Sequence, residues 1–224
     1  MSAPPPETGG ALPSLRLLVP WVACAVAVMA LTIGLGADGA DYPTPFAVVH
    51  AYRFFVGAEL FLLLAVVPLA VGPRRARFVD MLLLPALAAP AVAATAWAAD
   101  CRWPQVAASQ AYLAVIALFV TAYLAADPDG RFLSWYWLAL GGLSAGGPLV
   151  GFIVEDLLRV PLEWLYGLSP FWIADRMSRP WEFDWRPDWA KALAAAGSLL
   201  LLSAWLYAAS WRRSRLTSPA RRVY

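Results

Sequence analysis

Six apolar runs divide this 224-residue chain, at 17–36, 54–72, 81–99, 106–126, 132–154 and 189–211. Each approaches the roughly 20 residues that an α-helix needs to cross the hydrocarbon core of a bilayer. Lipid offers no partner to free backbone N–H and C=O groups, so runs of this length read as helices that satisfy their own backbone. Only 14% of residues are charged, against about a quarter in a soluble domain. The expected fold class is therefore all-α: a polytopic membrane protein with six transmembrane helices over 17–211 and an extracytoplasmic interfacial helical segment at 155–188. The proline-rich leader, 1–16, reads as a disordered cytoplasmic tail, and 212–224 as a basic one.

Prolines fall inside the runs, Pro68, Pro85, Pro90 and Pro148 among them. Each removes an N–H that a soluble helix would miss; inside a bundle, neighbouring helices are expected to take up the freed carbonyls, leaving kinks and not breaks. Arginine placement sets the orientation. With the amino terminus inside, the cytoplasmic segments hold Arg16, then Arg74, Arg75 and Arg77, then Arg131, then Arg212, Arg213, Arg215, Arg221 and Arg222. Both ends are thus expected in the cytoplasm. A competing reading makes the first run a cleaved signal peptide, because Arg16 precedes it and small residues follow.

Net charge is +2 and no basic face is clustered, so no nucleic-acid partner is expected. One histidine, His50, and two cysteines, Cys24 and Cys101, offer no metal spacing and no disulfide framework. No Walker motif and no nucleophile elbow occurs. No cofactor, metal or catalytic residue is expected, and membrane lipid is the first partner implied.

Glu59, five positions inside the second run, and Lys191, at the start of the last, are the intramembrane polar residues; such groups normally find a partner inside the bundle, and a Glu59–Lys191 contact is expected. His50 and Arg53 share a helix face outside that run, and Glu155 and Arg159 stand as an i,i+4 pair. Gly142, Gly146, Gly147 and Gly151 place small residues at four-residue spacing, which lets helix backbones approach closely in lipid. Packing within the chain, a homodimer seam and the lining of a conduit all use that pattern. The stretch 169–189 opens with Ser169 and Pro170, a cap and first-turn pair that predicts a helix with Trp172, Ile173 and Met177 on its apolar side. Beyond Pro180, the rings of Trp181, Phe183 and Trp185 alternate with charges as on an extended strand, while Trp181, Trp185 and Trp189 also fit a helical turn. Tryptophan suits headgroup depth, so Trp172, Trp181, Trp185 and Trp189 are expected at the outer interface.

Two segments carry a likeness to a known family. "YRFFVGAELFLLLAVVPLAVGPRRARFVDMLLLPALAAP" (52–90) and "PLEWLYGLSPFWIAD" (161–175) resemble the type-2 permeases of ATP-binding-cassette transporters. The first is similar to that family's second span, cytoplasmic coupling turn and third span, the second to its outer re-entrant helices. The resemblance implies a membrane subunit in a bacterial inner membrane, paired with a copy of itself or a sister subunit. A separate cytoplasmic ATPase subunit would dock on the turns holding Arg74, Arg75, Arg77 and Asp80 and Asp127, Asp129 and Arg131. Two other readings stand beside it: a non-catalytic subunit anchoring a larger membrane complex, and a lipid- or glycan-modifying enzyme using the outer acids.

Overall fold

Runs this long and this apolar have one economical backbone state away from water, and the computed structural model of the chain is helical accordingly. It describes residues 19–23, 26–27, 30, 50–71, 78–127, 129–155, 159, 166–179 and 185–217. Among them there is no strand. Helix α1 (Ala51–Phe61) passes through a π turn (Leu62–Val66) into α2 (Val67–Val71). Then come α3 (Phe78–Ala98), α4 (Trp103–Ala126) and α5 (Leu133–Gly141), which passes through a second π turn (Gly142–Gly146) into α6 (Gly147–Ile153). Helix α7 (Pro170–Ser178) and the long α8 (Trp185–Thr217) complete the described chain.

Four stretches are long and apolar enough to cross a membrane: Ala51–Leu69, Trp103–Ala126, Leu133–Ile153 and Trp189–Arg213. They coincide with four of the six runs. The run 81–99 falls within and just past α3, of which Ala88–Ala98 is described as a shorter apolar helix. Most of the run 17–36 lies outside the described residues.

Local chemistry explains where the helices start and stop. Pro104 sits in the first turn of α4, where its missing N–H costs nothing, and the Gln105 side chain turns back to accept from the Arg102 N–H at 3.3 Å. After α4, the buried Asp127 carboxylate accepts from the N–H groups of Arg131 and Phe132, both at 2.9 Å, and from the Tyr123 hydroxyl at 3.2 Å. Three donors on one carboxylate close the turn, and Gly130 supplies its left-handed residue at φ 67°. Pro187 lies in the first turn of α8, so it opens that helix and does not shorten it. Of the two readings of Trp181–Trp189, the described part fits the helical one: Trp185 and Trp189 are both helical, as is Arg186 from the stretch read as extended, and Trp181 and Phe183 lie outside the described residues.

The core forms where α1 faces α4. Tyr52, Phe55, Val56, Leu60 and Leu63 from one side meet Leu113, Ile116, Ala117 and Val120 from the other, all buried. Between helices in lipid, such contacts stabilise through van der Waals fit more than through removal of water. Helix α7 packs on α1, α4 and α8, with Ile173, Ala174 and Met177 turned inward.

The glycine pattern departs from expectation. Residues Gly142–Gly146 wind as a π turn, and a methyl group added at Gly142 or Gly146 would meet nothing within 4 Å. Gly151 alone of the described set makes a close approach, where an added Cβ would lie 2.9 Å from the Tyr166 ring. Packing within the chain therefore uses Gly151 and leaves Gly142 and Gly146 open; the side-chain face of Gly147 lies outside the description.

Candidate membrane-embedded site

Tyr52 and Glu59 stand seven residues apart on α1 and so share a face. That face meets an edge of α4 bearing Ser109 and Gln110. The Tyr52 hydroxyl and Ser109 Oγ lie 2.5 Å apart, and Gln110 Nε2 donates to Glu59 Oε2 at 3.1 Å. Glu59 is 1% exposed, and its other oxygen, Oε1, is buried without a hydrogen-bond partner. Lys191 is placed elsewhere, its ammonium 5.5 Å from the centre of the Trp172 ring. The expected Glu59–Lys191 contact is thus replaced by two separate arrangements, because Gln110 already occupies Glu59's side of the bundle.

The two π turns share a construction. Pro68 has no N–H for the carbonyl of Leu64, four residues back, and Pro148 has none for that of Ser144. In each helix the π turn ends two residues before the proline. In each, a hydroxyl from another element takes the carbonyl: Tyr136 donates to Leu64 O at 2.7 Å, and Ser169 donates to Ser144 O at 3.2 Å. Ser169 Oγ also accepts from the Trp172 N–H at 3.3 Å, so one hydroxyl caps α7 and clips the broken helix beside it. The expectation that neighbours take up proline-freed carbonyls holds at Pro68 and Pro148.

The end of the bundle that carries α7 is held by charge. Asp175 bridges Arg53 of α1 and Arg179, the latter at 2.8 Å. Buried Gln105 of α4 donates to the Arg179 carbonyl at 3.1 Å, tying the far end of α7 to the same corner. Arg176 and Lys191 both lie against Trp172, 5.8 and 5.5 Å from its centroid, within cation–π reach. His50 meets Phe54 edge-on at 6.3 Å, and Arg53 is engaged by Asp175. Glu155 accepts from the Tyr166 hydroxyl at 3.0 Å in place of the expected pair with Arg159, whose φ of 53° carries the chain out of the helix. In the short α3–α4 connection, burial, helped by the Asp100 charge, pushes the Cys101 thiol up to about 11.

Between α4, α5, α7 and α8 lies a cavity of about 580 Å³. Leu64 and Tyr136, partners in the first clip, line it, as do Leu143 of the second π turn and Pro170 beside the second clip. Its other walls are apolar apart from Tyr112, Ser198 and Lys191. Ser198 spends its hydroxyl on its own helix, donating to Ala194 O at 2.8 Å.

At the other end, Arg74, Arg75 and Arg77 lie outside the described residues, and of Asp80 only its place in α3 is described. Asp129 and Arg131 are exposed, 3.8 Å apart, whereas Asp127 is turned inward and caps its own turn. Among the expected interface tryptophans, Trp172 and Trp189 are half-buried against the core, Trp185 opens α8, and Trp181 lies outside the described residues. Gln105, Gln110 and Tyr136 are structural residues that sequence reading passed over; Ser109 and Gln110, polar in the middle of an apolar run, were the one signal available. No family model matches the chain, and no curated protein and no solved structure matches it either.

Proposed function

We propose that the chain is the membrane-spanning subunit of a transporter of the ATP-binding-cassette type. On this reading it crosses a bacterial inner membrane six times with both ends in the cytoplasm. It pairs with another membrane subunit and docks a separate ATPase on 72–80 and 127–131. The observation that carries the reading is the shared cavity. Two helices with a proline-associated π turn border one space, and irregular helices with their backbone satisfied by neighbours are a recurrent way to line a path through a bilayer. Helix α7, docked across the end of the bundle just ahead of the last span, supports the same reading through its likeness to the family's outer helices.

Affinity purification of the full chain from its native membrane tests it. An ATP-binding subunit should co-purify, and changing Arg74, Arg75 and Arg77 together to alanine should release that subunit while insertion is preserved. Unchanged association would sink the docking assignment. The anchoring reading draws on the open sides of Leu133–Ile153 and Trp189–Arg213; co-purification of a cofactor-bearing complex without any ATP-binding subunit would favour it.

A further inference from the structure

We infer that the cavity between α4, α5, α7 and α8 is a binding site for an anionic phospholipid drawn from the leaflet at the α7 end of the bundle. The inference stands on the cavity alone and is independent of any ATPase partner. A cavity of about 580 Å³ is in the range that holds small-molecule ligands, usually with apolar walls and a few polar groups that orient the occupant. Here the orienting group is at one end. Along α8 the lining runs from Lys191 to Leu202, a rise of about 16 Å at 1.5 Å per residue. Half of a hydrocarbon core is about 15 Å. The cavity therefore has the depth of one leaflet, with a cation where a headgroup sits and Leu143, Leu199 and Leu202 where acyl carbon lies.

The rim supplies charge complementarity. Lys191 and Arg176 converge on one indole, that of Trp172. A phosphate at the rim would meet the Lys191 ammonium. The Trp172 ring is amphipathic and fits the interface between headgroup and chain. Deeper in, the hydroxyls of Tyr136 and Ser198 are spent on backbone carbonyls and, Tyr112 apart, the remaining walls are apolar, so the interior rewards hydrocarbon. The occupant is thus an amphiphile, anionic at the rim and aliphatic below.

The test uses the full chain in detergent, with phosphatidylglycerol and phosphatidylcholine of identical acyl chains as probes, and counts bound lipid by native mass spectrometry. Phosphatidylglycerol should bind about fivefold more tightly, the worth of one cation near an anionic headgroup. Lys191→Gln should bring the two lipids level, and Lys191→Arg should keep the preference. Ala194→Phe, a substitution on the exposed cavity wall of α8, should weaken both. Millimolar inorganic phosphate should displace neither, because the chains contribute most of the binding. Equal binding of the two lipids by the unsubstituted chain would overturn the inference. So would a preference that survives Lys191→Gln, unimpaired binding in Ala194→Phe, or displacement by phosphate.

Discussion

The two helices that carry a proline and a π turn differ in their surroundings, although their local construction is the same. In the stretch Ala51–Leu69, which holds the Leu64–Tyr136 clip, 61% of the most apolar window is buried. In Leu133–Ile153, which holds the Ser144–Ser169 clip, the share is 12%. The other two spans divide in the same way, with Trp103–Ala126 at 56% and Trp189–Arg213 at 11%. One half of the bundle is a packed core; the other half presents two apolar helices on either side of a cavity. The Leu64 carbonyl takes its hydroxyl within the packed half, in a fully buried bond, whereas the Ser144 carbonyl takes its own on the open half, in a part-buried one. The cost of losing each clip should therefore differ.

That difference is open to measurement. Tyr136→Phe keeps the ring stacked on Tyr123 at 4.7 Å but strips the Leu64 carbonyl of its hydroxyl. It should lower stability by about 2 kcal/mol, the cost of stranding a buried acceptor, read as a fall in thermal midpoint in detergent. Ser169→Ala removes the weaker clip together with the α7 cap and should cost about 1 kcal/mol. Equal losses, or a larger one at Ser169, would break the core-and-edge comparison.

Asp175→Asn probes the corner where α7 meets the core. It weakens the links to both Arg53 and Arg179, which are partly exposed. A loss of about 1 kcal/mol, between that of a surface pair and that of a buried one, is expected. Within the open half, two glycines should respond with opposite sign. Gly142→Ala meets empty space and should raise stability by about 0.5 kcal/mol through backbone entropy. Gly151→Ala must displace Tyr166 and should lower it. If Gly142→Ala instead disrupts an oligomer seen by size-exclusion chromatography with light scattering, that glycine lies in a seam with a second copy.

The smallest effect concerns Cys101. With its thiol pushed up to about 11, the thiolate fraction at pH 8 is about 100-fold below that of an ordinary thiol. In a Cys24→Ser background, maleimide labelling should be slow and should rise about tenfold per pH unit until the thiol titrates.

Much of the architecture was legible in the sequence, because hydrophobic length is a one-dimensional signal. Four runs became four span-length helices with ends within a few residues of those expected. The Ser169–Pro170 start of α7 was legible for the same reason: capping is decided within four residues. What was not legible depends on rotation about helix axes. Nothing in the sequence says that Tyr136 faces Leu64, 72 residues away, or that Gln110 and not Lys191 reaches Glu59. Glycine spacing likewise does not say which partner a face has: at Gly142 and Gly146 it serves no packing within the described chain, where an added Cβ meets nothing within 4 Å. The cavity too is a three-dimensional product of four helices, and Lys191 is the one charge in its lining.

At the centre stands the claim that a proline frees a carbonyl at membrane depth and a neighbouring helix's hydroxyl takes it up. A double-mutant cycle between Pro68→Ala and Tyr136→Phe tests it directly, because alanine at that position offers the missing N–H. Thermal or denaturant stability in detergent should show that Tyr136→Phe costs much less once the proline is gone, with a coupling of about 1–2 kcal/mol. Losses that simply add, to within about 0.5 kcal/mol, would contradict the account.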